Sequence, residues 1–147
     1  EATPSGNGIA ASALLRLGYL LTEPRYINAA ERTLEFASQQ ITNTPIAHAS
    51  LLRCSEELNH PPITIIIRGH KNDMKQWQQI CQQQCNPGTM IFSIPVDEEN
   101  LPEGLQCKFS ANGETQAYIC QGTSCQAPIK HISQLSEALD SHSNSTD

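Results

Sequence analysis

The feature that most constrains the fold is the double proline at positions 61 and 62, where the hydrophobic pattern changes its period. Before it, apolar residues recur every three to four positions, which is the spacing of amphipathic helices. After it, residues 63–67 form a β-branched run that is typical of a strand buried on both faces. Two prolines disfavour helix and form a stiff linker. We therefore predict a mixed α/β chain with a helical segment at 1–60, a small α/β domain at 61–141 and a disordered tail at 142–147.

Three helices are predicted in the first segment. The first covers about residues 8–21, and the next two begin at Pro24 and Pro45, because a proline costs nothing in the first turn of a helix. The short connections predict antiparallel neighbours. On the first helix, the apolar positions recur with the 3.6-residue period of a helix; they are Ile9, Ala13, Leu14, Leu17, Leu20 and Leu21.

The second segment reads as β-α-β followed by β-β-α. Strands are predicted at 63–67, 90–94, 105–109 and 115–120, helices at about 72–84 and 130–139, an Asn-Gly hairpin at 111–114 and a loop at 121–128. This is the order of elements in a thioredoxin-like core and also in other small α/β folds. The redox form of that core carries Cys-x-x-Cys at the start of its first helix, where this chain has Gly69-His70-Lys71-Asn72.

Charge and hydropathy exclude two classes of partner. The chain has 9 Lys and Arg against 15 Asp and Glu, a net charge of −6, so no basic surface is expected for nucleic acid or for an anionic membrane. No apolar run approaches the roughly 20 residues of a membrane-spanning helix. The chain begins without Met and without a signal segment, which predicts a cytoplasmic piece of a longer protein.

The six cysteines are expected to be free thiols in a reducing compartment. Cys120 and Cys125 flank a glycine-containing loop, and structural thiols are the favoured interpretation. A disulfide or redox pair is one alternative, and half of a metal site with Cys107 as a third ligand is another. Zinc needs four ligands and this spacing supplies two, so we predict no metal site and no cofactor.

Two weaker patterns could each form a binding site, one for a metal ion and one for an anion. Cys81 and Cys85 lie four positions apart on one predicted helix, but Cys81 fits its apolar stripe, so we expect structural thiols. His70 precedes the same helix, and the positive end of a helix attracts anions. With Arg68 and Lys71 beside it, His70 is either part of a solvated turn, which we favour, or part of a small anion site.

Short motifs near both ends of the chain occur in the same order in a known family. They are Pro4-Ser5-Gly6-Asn7 with Ala10-Ala11, Leu14-Leu15-Arg16-Leu17, Ala30-Glu31-Arg32-Thr33-Leu34, and Thr115-Gln116-Ala117-Tyr118-Ile119-Cys120 with Cys125 and Pro128. Through them the chain resembles the carboxyl-terminal part of the thioredoxin-domain-containing family that includes spermatogenesis-associated protein 20. Its members resemble a thioredoxin-like domain joined to an α/α toroid similar to those of six-hairpin glycosidases and N-acylglucosamine 2-epimerases.

The resemblance implies that this chain is a non-catalytic fragment that completes a carbohydrate-enzyme-like toroid. It places Glu1, Ser5 and Asn7 near a central pocket for a sugar-like molecule, so part of a sugar epimerase or hydrolase is one alternative. A thiol redox accessory module using Cys120 and Cys125 is the other. The implied partners are the remainder of the parent polypeptide and, through exposed helices, a second copy of the chain. The resemblance assigns no catalytic residue.

Overall fold

The computed structural model describes residues 5–84, 86, 88–110 and 113–143 of the 147-residue chain. The chain divides into two compact units, Glu1–Pro61 and Pro62–Asp147. Helices and a four-stranded mixed sheet together confirm the predicted mixed α/β class with a helical amino-terminal region. Within the described part of the chain, no helix has both the length and the hydropathy to cross a membrane.

The first unit consists of helices. They are α1 (Gly6–Leu21), α2 (Pro24–Asn43), a 3-10 helix (Pro45–His48) and α3 (Ala49–Asn59). Pro24 begins α2 as predicted, whereas the third helix predicted to begin at Pro45 begins at Ala49, and Pro45 opens a separate 3-10 helix. The turn between α1 and α2 is tight because Thr22 adopts the left-handed conformation that ends a helix. The side chain of Glu23 then caps α2 by accepting a hydrogen bond from the backbone N–H of Arg25.

The apolar positions that recur along α1 only partly coincide with its buried face, although Leu14 packs against the core. Ile9 and Leu17 are exposed, and the buried residues of α1 are Gly8, Ala11, Leu15, Gly18 and Tyr19. The two glycines explain the difference, because a Cβ on Gly8 would lie 2.2 Å from Ser50 Oγ and one on Gly18 would lie 2.6 Å from Ile27 Cγ1. The close approach of neighbouring helices therefore selects the small-residue face of α1 for burial.

The second unit is a four-stranded sheet with helices. Its elements are β1 (Ile63–Gly69), α4 (Lys71–Gln84), β2 (Met90–Pro95), α5 (Glu103–Gln106), β3 (Gln116–Gln121), β4 (Ser124–Cys125) and α6 (Ile132–Ser143). The strands lie in the order β2-β1-β3-β4. Strands β1 and β2 are parallel, whereas β3 is antiparallel to β1 and to β4.

The core of this unit lies on one face of the sheet. Ile65 and Ile67 of β1 pack there with residues of α4 and α6, among them Trp77 and Leu135. Because side chains alternate along a strand, Thr64, Ile66 and Arg68 belong to the other face. All three are also buried, so β1 is buried on both faces as its sequence predicts.

Two predicted elements of this unit are wrong. Residues 105–109 do not form a strand, because α5 occupies Glu103–Gln106 and Pro102 accepts the first backbone hydrogen bonds from Leu105 and Gln106. The predicted loop at 121–128 contains β4, because Gly122 adopts a φ of 60° and closes a two-residue hairpin. The predicted Asn-Gly hairpin falls partly on residues 111 and 112, and the predicted tail falls partly on residues 144–147, both outside the described residues.

Candidate functional site

The hairpin of β3 and β4 carries a disulfide bond between Cys120 and Cys125. The two residues are direct partners in the ladder, with their Cα atoms 3.9 Å apart. The two-residue turn at Gly122 sets this register, because its positive φ suits the tight turn that reverses the chain. The expectation of free thiols is therefore wrong for this pair, and the disulfide alternative is confirmed.

The two sulfur-bearing residues differ in exposure. Cys120 is only 4% exposed, whereas Cys125 lies on the exposed edge strand β4. Beyond the disulfide the edge segment continues along β3, because Gln126 N–H donates to Ile119 O at 2.9 Å and Ala117 exchanges two backbone hydrogen bonds with Ile129. The disulfide thus closes one end of a longer edge ladder.

The other described cysteines differ in exposure. Cys54 and Cys81 are buried, and Cys107 is exposed. Burial raises the pKa of the Cys54 thiol, which keeps it protonated near neutral pH. Cys81 packs with Trp77 in the core, whereas Cys85 lies outside the described residues. Among the described residues, no cluster of three or more His, Cys, Asp or Glu side chains is arranged to hold a metal ion.

The pocket residues that the resemblance implies lie at the start of α1. Ser5 is the residue before the helix, and its side chain makes no capping hydrogen bond. Asn7 lies in the first turn and is exposed. Glu1 is outside the described residues. The structure therefore places Ser5 and Asn7 at a helix entry, the position that the sequence predicts for them.

The chain passes directly from β1 into α4 at the four residues that replace a Cys-x-x-Cys motif. Gly69 is buried, and a Cβ on it would lie 2.3 Å from Thr115 Oγ1 and 2.9 Å from Thr115 Cα. The backbone of the segment before β3 therefore lies against β1 here, and glycine is required at this position. His70 and Lys71 are exposed.

Arg68 differs from the exposed residues His70 and Lys71 because it is only 6% exposed. Its place in β1 puts it on the sheet face away from Ile67 and α4. The structure therefore does not bring Arg68 together with His70 and Lys71 as one exposed anion site. Within the described part of the chain, Nε and Nη1 of Arg68 are buried and have no hydrogen-bond partner.

Polar groups from the segment after α5 cover this face of the sheet. Tyr118 Oη donates to Phe109 O at 2.7 Å, and Gln116 Nε2 donates to the same oxygen and to Tyr118 Oη. Lys108 is a second buried cation, and its Nζ donates to Gly104 O at 2.7 Å. Sequence reasoning missed this polar layer because it assigned residues 105–109 to a strand. The available signal was an arginine in a β-branched run that is otherwise buried on both faces.

Comparison with known proteins finds one distant relative to report. The chain is 25% identical over 142 residues to an uncharacterised Caenorhabditis elegans protein, B0495.5. The match covers 95% of this chain and 20% of that protein, so the chain spans about a fifth of the length of the relative. No family model matches the chain, and no solved structure matches it.

Proposed function

We propose that the chain is a non-catalytic part of a larger thioredoxin-domain-containing protein, in which the helical unit completes a toroid formed with the rest of the polypeptide. The observation that carries this proposal is the exposure of large apolar side chains on the helical unit. Phe36 is 82% exposed and Ile46 is 95% exposed. Side chains of this size leave water when a partner surface is available, because their burial is favourable in proportion to apolar area.

The exposed apolar residues are concentrated in one unit. Besides Phe36 and Ile46, the helical unit exposes Ile9, Leu17 and Leu52. In the described part of the α/β unit, Phe109 is the one large apolar residue that is exposed. Single exposed apolar residues are ordinary, but a high density of them marks an interaction surface. The higher density of exposed apolar side chains on the helical unit therefore supports a partner that binds the helices.

The occupant that we propose is the remainder of the parent polypeptide. The relative in Caenorhabditis elegans is about five times as long as the aligned region, which leaves ample chain to cover the helices. The order β2-β1-β3-β4 with β1 and β2 parallel supports a thioredoxin-like core for the α/β unit. In this proposal that core is a domain without redox activity at this position, since Gly69-His70-Lys71-Asn72 occupies the place of a dithiol.

Sedimentation velocity on the 147-residue chain tests the proposal. Without its partner surface, the chain is expected to self-associate, and a Phe36→Ser/Ile46→Ser double variant is expected to reduce that association. The matched control is Phe109→Ser, which removes an exposed aromatic residue from the other unit and leaves association unchanged. A wild-type chain that stays monomeric at high concentration and binds no hydrophobic dye would contradict the proposal.

A second candidate function is thiol–disulfide exchange at the hairpin, favoured by the exposure of Cys125. In this reaction, the thiolate of an external thiol attacks Cys125 Sγ. A mixed disulfide forms there, the bond to Cys120 breaks, and Cys120 leaves as a thiolate that takes up a proton. Attack by a second thiolate on the external sulfur of the mixed disulfide then releases the Cys125 thiolate.

Mass spectrometry after incubation with glutathione tests this candidate. In a Cys120→Ser variant incubated with oxidised glutathione, the Cys125 thiolate attacks one glutathione sulfur and the other glutathione leaves as a thiolate; an adduct on Cys125 that forms faster than the adduct on Cys107 of the same molecule is the expected result. Cys107 is a suitable internal reference because it is exposed and free. A hairpin disulfide that resists reduction in the native chain would exclude thiol–disulfide exchange and leave the first proposal intact.

A further inference from the structure

Arg68 stands apart from the other arginines of the chain. It is the most buried of the five, yet Nε and Nη1 of its guanidinium have no partner among the described residues. Each of the other four donates from its guanidinium to a carboxylate or to a backbone carbonyl oxygen; they are Arg16, Arg25, Arg32 and Arg53. The chain thus leaves unsatisfied the arginine whose isolation is most costly.

A guanidinium in this position is unfavourable unless something pairs with it. An arginine side chain stays protonated in proteins, so burial here isolates a full positive charge with N–H donors that water would otherwise satisfy. Burial also lowers the pKa of Arg68, which reports the same unfavourable environment. A buried polar group without a partner in a native fold indicates an ion or ligand that completes it.

The chain supplies weak internal candidates for that partner. Glu98 is the acidic residue whose charge acts on Arg68, but Glu98 is exposed, so water screens the attraction. Tyr118 Oη is already committed to Phe109 O. Lys108, on the segment that covers this face, is another cation and does not neutralise the charge.

The position of Arg68 is one at which α/β sheets bind ligands. It lies next to the last residue of β1, at the carboxyl ends of the parallel strands β1 and β2. Ligands of open α/β sheets bind outside these carboxyl ends. Residues 97–100, which follow β2 and include Glu98, are exposed and belong to no helix or strand.

We propose that Arg68 is the recognition residue of a binding site for an oxyanion, a carboxylate or phosphate group, at the carboxyl end of β1. The guanidinium offers N–H donors at both Nε and Nη1, and oxygens of a carboxylate or phosphate accept such charge-assisted hydrogen bonds. The exposed carboxylate of Glu98 competes with the ligand for the same cation. The site is independent of the apolar surface of the helical unit.

Thermal unfolding of the full 147-residue chain in increasing inorganic phosphate, or in acetate, tests the site against sodium chloride of equal ionic strength. In the wild type, phosphate or acetate is expected to raise the unfolding midpoint in a saturable manner, and the more effective anion identifies the ligand class. Arg68→Gln is expected to lose this rise. Arg53→Gln, which removes a positive charge from the exposed surface of α3, is expected to keep it.

Two further variants keep the test decisive. Arg68→Lys retains the charge but loses the separate donors at Nε and Nη1, so its apparent affinity should fall about tenfold, and it replaces Arg68→Gln if that variant does not fold. Glu98→Gln removes the competing carboxylate and should tighten binding. The proposal is overturned if neither anion moves the midpoint in the wild type or in Glu98→Gln, or if the Arg68 variants respond as the wild type does.

Discussion

Arg16 on α1 and Glu57 on α3 form a two-pronged ion pair that joins the helices. Arg16 Nε donates to Glu57 Oε2 at 2.8 Å, and Arg16 Nη2 donates to Oε1. Arg53 adds a third donor, 3.3 Å from the same carboxylate. The Glu57 side chain is 12% exposed, so water screens the attraction less than at an open surface. This ion pair therefore connects the same two helices that approach closely at Gly8 and Ser50.

Loss of this carboxylate charge is expected to destabilise the chain. The Glu57 carboxylate accepts hydrogen bonds from three guanidinium donors of Arg16 and Arg53. Because Glu57→Gln removes the negative charge that these donors face, we expect the free energy of unfolding to fall by about 1–3 kcal/mol. Glu56→Gln is the matched control, because Glu56 is the exposed neighbour on the same helix and should change stability by less than about 0.5 kcal/mol. Urea unfolding followed by circular dichroism measures both. Equal effects at the two positions would show that the ion pair contributes nothing.

The same pair predicts how stability depends on pH. Hydrogen bonding to Arg16 holds the pKa of Glu57 below its ordinary value. A carboxyl whose pKa is lower in the folded chain binds fewer protons there than in the unfolded chain. Its contribution is therefore complete above the unfolded pKa of about 4.3 and is lost as the pH falls through the folded value. The stability difference between wild type and Glu57→Gln, measured from pH 7 to pH 3, should be constant above about pH 5 and shrink below it. A difference that grows on acidification would contradict this assignment.

Two glycines on α1 predict opposite responses to the same substitution. Gly8→Ala brings a Cβ within 2.8 Å of Ser50 Cβ and should destabilise the chain by about 1–3 kcal/mol, because α1 or α3 must move. A Cβ on Gly6 meets nothing within 4 Å, so Gly6→Ala should be neutral or stabilising by up to about 1 kcal/mol. Thermal unfolding of both variants provides the comparison. A tolerated Gly8→Ala would mean that α1 and α3 are not in close contact at this point.

Removal of the hairpin disulfide is expected to have a moderate cost. The disulfide closes a loop of only six residues, and the loss of entropy in the unfolded chain on closing such a loop stabilises the fold by about 2 kcal/mol. The Cys120→Ser/Cys125→Ser double variant should lose this amount in urea unfolding and should become insensitive to dithiothreitol. Cys107→Ser, at an exposed free thiol, should retain the wild-type response to reductant. A wild-type chain that is equally stable with and without dithiothreitol would show that the disulfide does not support the fold.

Removal of the Arg68 charge is expected to relieve an unfavourable burial. Arg68→Met keeps most of the side-chain volume and removes an unpaired buried charge, so in buffer without phosphate or carboxylate it should raise the free energy of unfolding by about 1–3 kcal/mol. Lys108→Met is the comparison, because that cation donates to Gly104 O and should not be stabilised to the same extent. Urea unfolding curves at fixed sodium chloride give both values. A large loss of stability in Arg68→Met would mean that Arg68 is satisfied within the fold.

The sequence predicts the parts of this fold that depend on local periodicity. The β-branched run at 63–67 predicts β1, and Pro24 predicts where α2 begins. The burial of α1 was not predictable in this way, because it carries apolar residues on most of its surface. The close fit at Gly8 and Gly18 decides which face is buried, and that fit depends on Ser50 and Ile27 of other helices.

The candidate sites depend on still shorter signals. Leu105, Cys107 and Phe109 alternate like a strand, but a five-residue apolar pattern does not distinguish a strand from a helix turn. Strand β4 has two residues, too few for any period, so the register that pairs Cys120 with Cys125 appears only in the folded hairpin. Arg68 was recognisable as a cation near a helix start, but its burial on the opposite sheet face follows from the strand register.

The central claim is that further polypeptide covers the helical unit, and hydrogen exchange followed by mass spectrometry tests it most directly. The measurement compares peptides spanning residues 36–48 in the longer polypeptide and in the 147-residue chain diluted until it is monomeric, with residues 117–121 of β3 as an internal reference. We predict slower exchange at 36–48 in the longer polypeptide and unchanged exchange in β3. Equal exchange of residues 36–48 in both would contradict the claim that Phe36 and Ile46 are covered.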